Sequence, residues 1–160
     1  MEAVQLHLAL NHLPVALTLV GFVILLVGTL LTNISIVKTG ASCLIAAGIF
    51  IAPVYFSGEG AEERIEHMQG VDEDDIEEHE EAALFAAISS GVVAALALIG
   101  LIGGLYSPEH SRFKVGLLAA SLVSFVVMLR VAHLGGLIRH PELDPTFQAP
   151  HQTSPPVVAQ

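Results

Sequence analysis

Residues 82–106 read AALFAAISSGVVAALALIGLIGGLY, a run without one Asp, Glu, Lys or Arg. A helix needs about 20 predominantly apolar residues to cross the hydrocarbon core of a bilayer, and this stretch supplies that length once. Three further charge-poor stretches predict helices over about 13–33, 37–56 and 113–138, the last interrupted in its interior only by Arg130. Short connections near 33–37 and 107–112 make consecutive helices antiparallel neighbours. The expected fold is therefore all-α: an integral membrane four-helix up-down bundle. Residues 1–140 form this transmembrane domain.

Composition agrees. Of 160 residues, 53% are hydrophobic and 14% charged, and the mean hydropathy is +0.70. A soluble domain carries about 25% charged residues, so this chain has too little polar surface to cover a water-exposed globule. Its net charge of −10, from 6 basic and 16 acidic residues, excludes a nucleic-acid partner, which a basic surface would have to recruit. Cys43 is the single cysteine, which excludes an internal disulfide and any multi-cysteine metal centre. The first apolar run does not read as a cleaved signal: Glu2 replaces a basic leader and no A-x-A site follows.

Four spans put both termini and the 57–81 loop on one side, side A. Side B holds the two short connections, with Lys38, Arg112 and Lys114 against Glu109 alone. Arg64, Arg130 and Arg139 lie on side A or its flanks, with all the other acids. Cytoplasmic loops are enriched in Lys and Arg, so side B is expected to be cytoplasmic and side A extracytoplasmic. Within the acidic 57–81 loop, Ala61, Ile65 and Met68 recur as on one helix face, and Gly70 is a natural stop. Asp72, with Asp75 three residues on, reads as an N-cap, so the third helix is expected to begin near Glu73, outside the bilayer. The 141–160 tail holds five of the eight prolines and reads as extended chain.

Histidines gather at side A. His12 lies on the first helix, His79 on the third, and His133 and His140, two turns apart on one face, on the fourth. Their spacing predicts a single pocket shared by His12, His79 and at least one of His133 and His140. Arg130 lies about 12 Å inside that end of the fourth helix at ~1.5 Å per residue, where an ionisable group marks a functional site by default. With no acid in the spans, its partner is a backbone carbonyl, the water interface, an acid reaching in from the loop, or an anionic ligand. A haem satisfies the last option, through its anionic propionates and its axial histidines. On that reading His12, His79, His133 and His140 are the candidate ligands, with Arg130 and Arg139 facing propionates. Iron, copper or zinc is the competing ligand, held by His12, His79 and His140 with Glu78 and Glu142. His7, His67 and His151 read as incidental. Gly100, Gly104 and the Ala83, Ala87, Gly91, Ala95 ladder read as helix-contact faces.

The stretch Leu6-His7-x4-His12-Leu13-Pro14 resembles the opening L-H-P-x-x-V-H-F-P-I-A-L of a group of small bacterial four-helix membrane proteins, a domain family of unknown function. Residues Ser57-Gly58-Glu59-Gly60-Ala61-Glu62-Glu63, His67 and Glu77-Glu78-His79-Glu80-Glu81 are similar to that group's second loop and third-helix start. Residues 134–142, LGGLIRHPE, resemble its glycine-rich ending. The resemblance spans most of 6–142. It implies the four-helix fold in a bacterial inner membrane and draws attention to His12, His79, Arg139 and His140.

Three functions compete on the sequence alone. A b-type haem would make the chain an electron-transfer protein serving a periplasmic or quinone partner. A metal ion at the same place would make it a metal-binding protein. Without a cofactor, it would be a structural subunit of a larger membrane complex. No Ser-His-Asp or Cys-His pattern suggests an independent enzyme, and no long polar stripe suggests a channel.

Overall fold

The computed structural model describes residues 3–65 and 73–140. Five helices follow in order: α1 (Ala3–Leu10), α2 (His12–Leu30), α3 (Ile34–Ile65), α4 (Glu73–Ile102) and α5 (Ser111–Arg139), with one 3-10 turn at Pro108–His110. Four of these helices are long and apolar enough to cross a membrane, over His12–Leu30, Ile34–Gly58, Asp74–Ile102 and Pro108–Ile138. The chain is an all-α, multi-pass bundle, as its charge gaps predict.

Glycine contacts fix the pairing and direction of the helices. On α2, Gly21 meets Gly40 and Leu44 of α3, whereas Gly28, further along, meets Ile36 and Val37. Rising numbers on one helix face falling numbers on the other, so the two are antiparallel. A Cβ on Gly40 would lie 2.5 Å from the Leu25 nitrogen and 2.8 Å from the Gly21 carbonyl oxygen. The helices thus touch backbone to backbone. In lipid, where apolar side chains gain nothing by leaving the solvent, such close approach is what holds helices together. α4 and α5 are antiparallel by the same reasoning: His79 lies against Gly135, and Gly100 against Phe113, while Ser89 and Ser124 approach within 3.2 Å between them. α3 packs on α4, α2 closes the ring against α5, and α1 lies mainly on α3.

The interior is small-residued and the exterior bulky. Leu25, Val37, Ala41, Leu44, Val93, Ala97, Tyr106 and Leu117 form the buried core, in the half of the bundle nearer the 31–33 and 103–110 connections (end B). Val23, Phe85, Ile99 and Val123 point outward, as lipid-facing residues must. Tyr106 folds back beneath α4, where its hydroxyl donates to the Ala97 carbonyl at 2.7 Å and its ring tilts against Phe113.

Helix ends depart from the charge gaps in five places. The 3–10 segment, expected outside the first helix, forms α1. α2 stops at Leu30 because Thr32 takes a left-handed conformation (φ 53°), with Asn33 N–H donating to Gly28 O and Thr32 N–H to Thr29 O, the hydrogen-bond pattern of a Schellman stop. Asn33 then caps α3 through its Oδ1, which accepts from Ser35 and Ile36 N–H, so α3 starts before residue 37. α3 also continues past residue 56 to Ile65, absorbing the start of the acidic loop into one helix despite Pro53. Finally α4 stops at Ile102 rather than 106, where Gly104 takes φ 68° and Leu105 N–H reaches back to Gly100 O. α4 begins at Glu73, where the sequence places it. Met68, Gly70, Asp72 and the 141–160 tail lie outside the described residues.

Candidate functional site

The end of the bundle that carries α1, the close of α3 and the start of α4 (end A) brings two histidines together. His79 is the seventh residue of α4, late enough in the helix to sit beside α5 rather than in the surrounding water. Its ring is half-buried and donates to the backbone of Val131. One turn further along α5, Gly135 leaves room for the ring: a Cβ there would lie 3.1 Å from His79 Cε1. The α5 groove that receives His79 is therefore made by a carbonyl and a missing side chain.

His7 is the second ring. α1 lays it on α3, where its Nδ1 is 3.1 Å from the Val54 carbonyl oxygen. That oxygen also accepts from Ser57 Oγ at 3.0 Å. Gly58 lies against the His7 ring, at 3.4 Å from an added Cβ to Cε1. His7 and Glu80 both lie within electrostatic reach of His79, with opposite signs of influence. Both imidazoles are thus oriented by a backbone carbonyl and packed on a glycine. A histidine whose one ring nitrogen is held by a carbonyl has its tautomer and direction fixed, the usual support of a metal-ligating imidazole.

Arg130 finds its partner in Glu78. The guanidinium Nη2 donates to Glu78 Oε1 at 2.5 Å, with both side chains more than half exposed. Of the four partners open to Arg130, the structure supplies the acid, and it comes from α4 rather than from the loop before it. The 52 residues between them are spanned by the antiparallel pairing of α4 and α5.

The other candidate histidines are exposed. His12 opens α2, exposed, with its Nδ1 against the Asn11 side chain. His133 and His140 are exposed on and just beyond the end of α5. Arg139 is the last residue of α5, and Glu142 lies outside the described residues. His79 is met by His7, which the sequence reading set aside, rather than by His12. Among the described residues, no three His, Cys, Asp or Glu side chains are grouped to hold a metal ion. Gly58 and Gly135 are helical positions without a side chain, and a histidine ring lies against each: His7 at Gly58 and His79 at Gly135.

No protein-family model, curated protein or solved structure matches the chain.

Proposed function

We propose that end A is a haem site and that the chain is a b-type electron-transfer protein of the bacterial inner membrane. The observation that carries this reading is the pair His7–His79: two imidazoles from separate helices, each aimed by a backbone carbonyl and each lying on a glycine. The residues fit the group in donor type, because haem iron takes axial histidines, and Gly58 and Gly135 let each ring pack closely on the helix it meets. Bundle cores are a usual place for such cofactors. Bound there, haem would supply one-electron redox chemistry near the membrane surface. His79 would hold the iron, with the Val131 carbonyl fixing its ring, and His7 is the imidazole within electrostatic reach of it. Glu78 occupies Arg130, so propionate charge falls to Arg139 or to water.

Lys38, Arg112 and Lys114 at end B support a cytoplasmic end B and an extracytoplasmic end A, the side from which a periplasmic or quinone partner would exchange electrons. A second reading, an iron, copper or zinc ion at the same imidazoles, draws support from Glu80 beside His79, since carboxylate and imidazole together suit such ions.

An absorption spectrum of the protein purified in mild detergent tests both. A Soret band that sharpens on dithionite reduction, and is lost in His79→Ala, supports the haem. A colourless protein with stoichiometric metal supports the ion. A colourless, metal-free protein that takes up neither haem nor metal on titration overturns both and leaves a structural subunit of a larger membrane complex.

A further inference from the structure

Among the described residues Lys114 is the one charged side chain buried in the bundle: it is 4% exposed. It is the fourth residue of α5 and lies on the same face as Leu117, Ser121 and Ser124, all inside the bundle. Its ammonium has no hydrogen-bond or ion-pair partner among the described residues. Yet Nζ is not among the side-chain polar atoms fully sealed from solvent. The stem is therefore buried and the charged tip reaches a surface. Helix side chains lean toward the N-terminus, so that tip lies over the first turn of α5, at end B.

Among the described residues no acid pairs with it. The described acids other than Glu109 lie near the close of α3 or the start of α4, at end A. Glu109 is itself occupied, accepting from Ser107 Oγ at 2.8 Å and lying 3.8 Å from His110 Nδ1. Two further cations lie at end B: Arg112 is exposed two residues earlier and Lys38 is exposed on α3; α5 also begins without a side-chain cap, so its dipole adds positive potential. A lysine tip that reaches the surface at a helix end, with no partner among the described residues, is open to an anion, and the start of a helix is a natural anion seat.

We propose that Lys114 and the first turn of α5 form a phosphate-binding site at end B. The ligand chemistry is a phosphate group, from a phospholipid headgroup at the membrane surface or from a soluble phosphate. This site is remote from His7 and His79 and does not depend on the haem reading.

The chain has two lysines, Lys38 and Lys114, so the exposed Lys38 serves as an internal control. The full chain in phosphate-free maltoside micelles is acylated with an amine-reactive reagent, and the Lys114 to Lys38 rate ratio is read by peptide mass spectrometry. Phosphatidylglycerol added to the micelles is expected to slow Lys114 about tenfold relative to Lys38, as loss of access to a charge-assisted hydrogen bond implies. The same protection by inorganic phosphate assigns the ligand to a soluble phosphate; protection by the lipid alone assigns it to a headgroup. An unchanged ratio with both probes, or equal slowing of the two lysines, overturns the site and leaves Lys114 as a snorkelling cation. Lys114→Gln checks this independently: native mass spectrometry should show phosphatidylglycerol retention reduced, and retention equal to wild type overturns the proposal.

Discussion

Gly135 and Gly136 are adjacent on α5, and the structure sets them opposite tasks. A Cβ on Gly136 would meet nothing within 4 Å, whereas one on Gly135 would arrive 3.1 Å from His79 Cε1, 3.6 Å from Nδ1 and 3.8 Å from Nε2. Gly→Ala inside a helix gains about 1 kcal/mol from reduced backbone entropy in the unfolded chain. Gly136→Ala should show that gain in full. At Gly135 the new methyl is closer than the ~3.5–4.0 Å at which carbon atoms attract. The ring has to retreat against its bond to the Val131 backbone, and a side chain forced off its rotamer costs about 1 kcal/mol. The two terms cancel.

Gly135→Ala should therefore be near neutral and lie about 1 kcal/mol below Gly136→Ala, a difference of a few degrees in Tm. Thermal unfolding in detergent, followed by circular dichroism, reads it. Haem titration gives the second readout: displacement of a ligating His79 should weaken binding about tenfold in Gly135→Ala and leave Gly136→Ala unchanged. Equal stabilisation of both variants, with equal haem binding, would refute the packing of His79 on Gly135 and with it the geometry of the site.

Thr32→Gly should stabilise the fold by up to about 1 kcal/mol, because a β-branched residue at φ 53° is strained where glycine is not; a destabilised variant in chemical denaturation would contradict this. Tyr106→Phe, which deletes the hydrogen bond to the Ala97 carbonyl, should lower stability by about 1 kcal/mol in the same assay, and an unchanged midpoint would count against it. For the half-exposed Arg130–Glu78 pair, a double-mutant cycle with Arg130→Leu and Glu78→Gln should give a coupling no larger than about 1 kcal/mol, and Arg130→Leu should keep the haem content of wild type; loss of haem would return Arg130 to the ligand site. In a Cys43→Ala background, a cysteine at Glu77 should be labelled by an impermeant reagent in intact cells and one at Ser111 shielded; the reverse pattern inverts the orientation.

The four spans are legible in the sequence because crossing a bilayer leaves a coarse mark: about 20 residues without a full charge. Helix ends are not marked that way. Hydropathy sees only where lipid stops, whereas helices stop where the backbone hydrogen bonds do. α3 keeps its bonds to Ile65, well past the apolar limit, and α2 loses its own at a threonine that carries no glycine signal. The site was half legible. His79 and the acid-paired Arg130 could be picked from depth and charge, but which histidine meets His79 depends on how α1 folds back on α3. His7 and His12 are five residues apart, about 140° around a helix at 3.6 residues per turn, so one helix could not aim both at one point. The chain breaks between them at Asn11, and each goes its own way: His7 inward to Val54, His12 out beside Asn11.

Lys114 carries the same lesson with the opposite sign. Counted with Lys38 and Arg112, it is one more positive charge on a short loop, and topology needs nothing else from it. Spacing says more than charge does. Lys114, Leu117, Ser121, Ser124 and Met128 follow one another by 3, 4, 3 and 4 residues, the stripe that a helix turns toward its neighbours, and all five are buried. Four members of the stripe are small, apolar or able to bond their own helix, as Ser121 does to Leu118. The fifth has a charge that no described residue pairs with. Its stem packs on the core face while its tip reaches end B, and that is where the proposed phosphate would meet it.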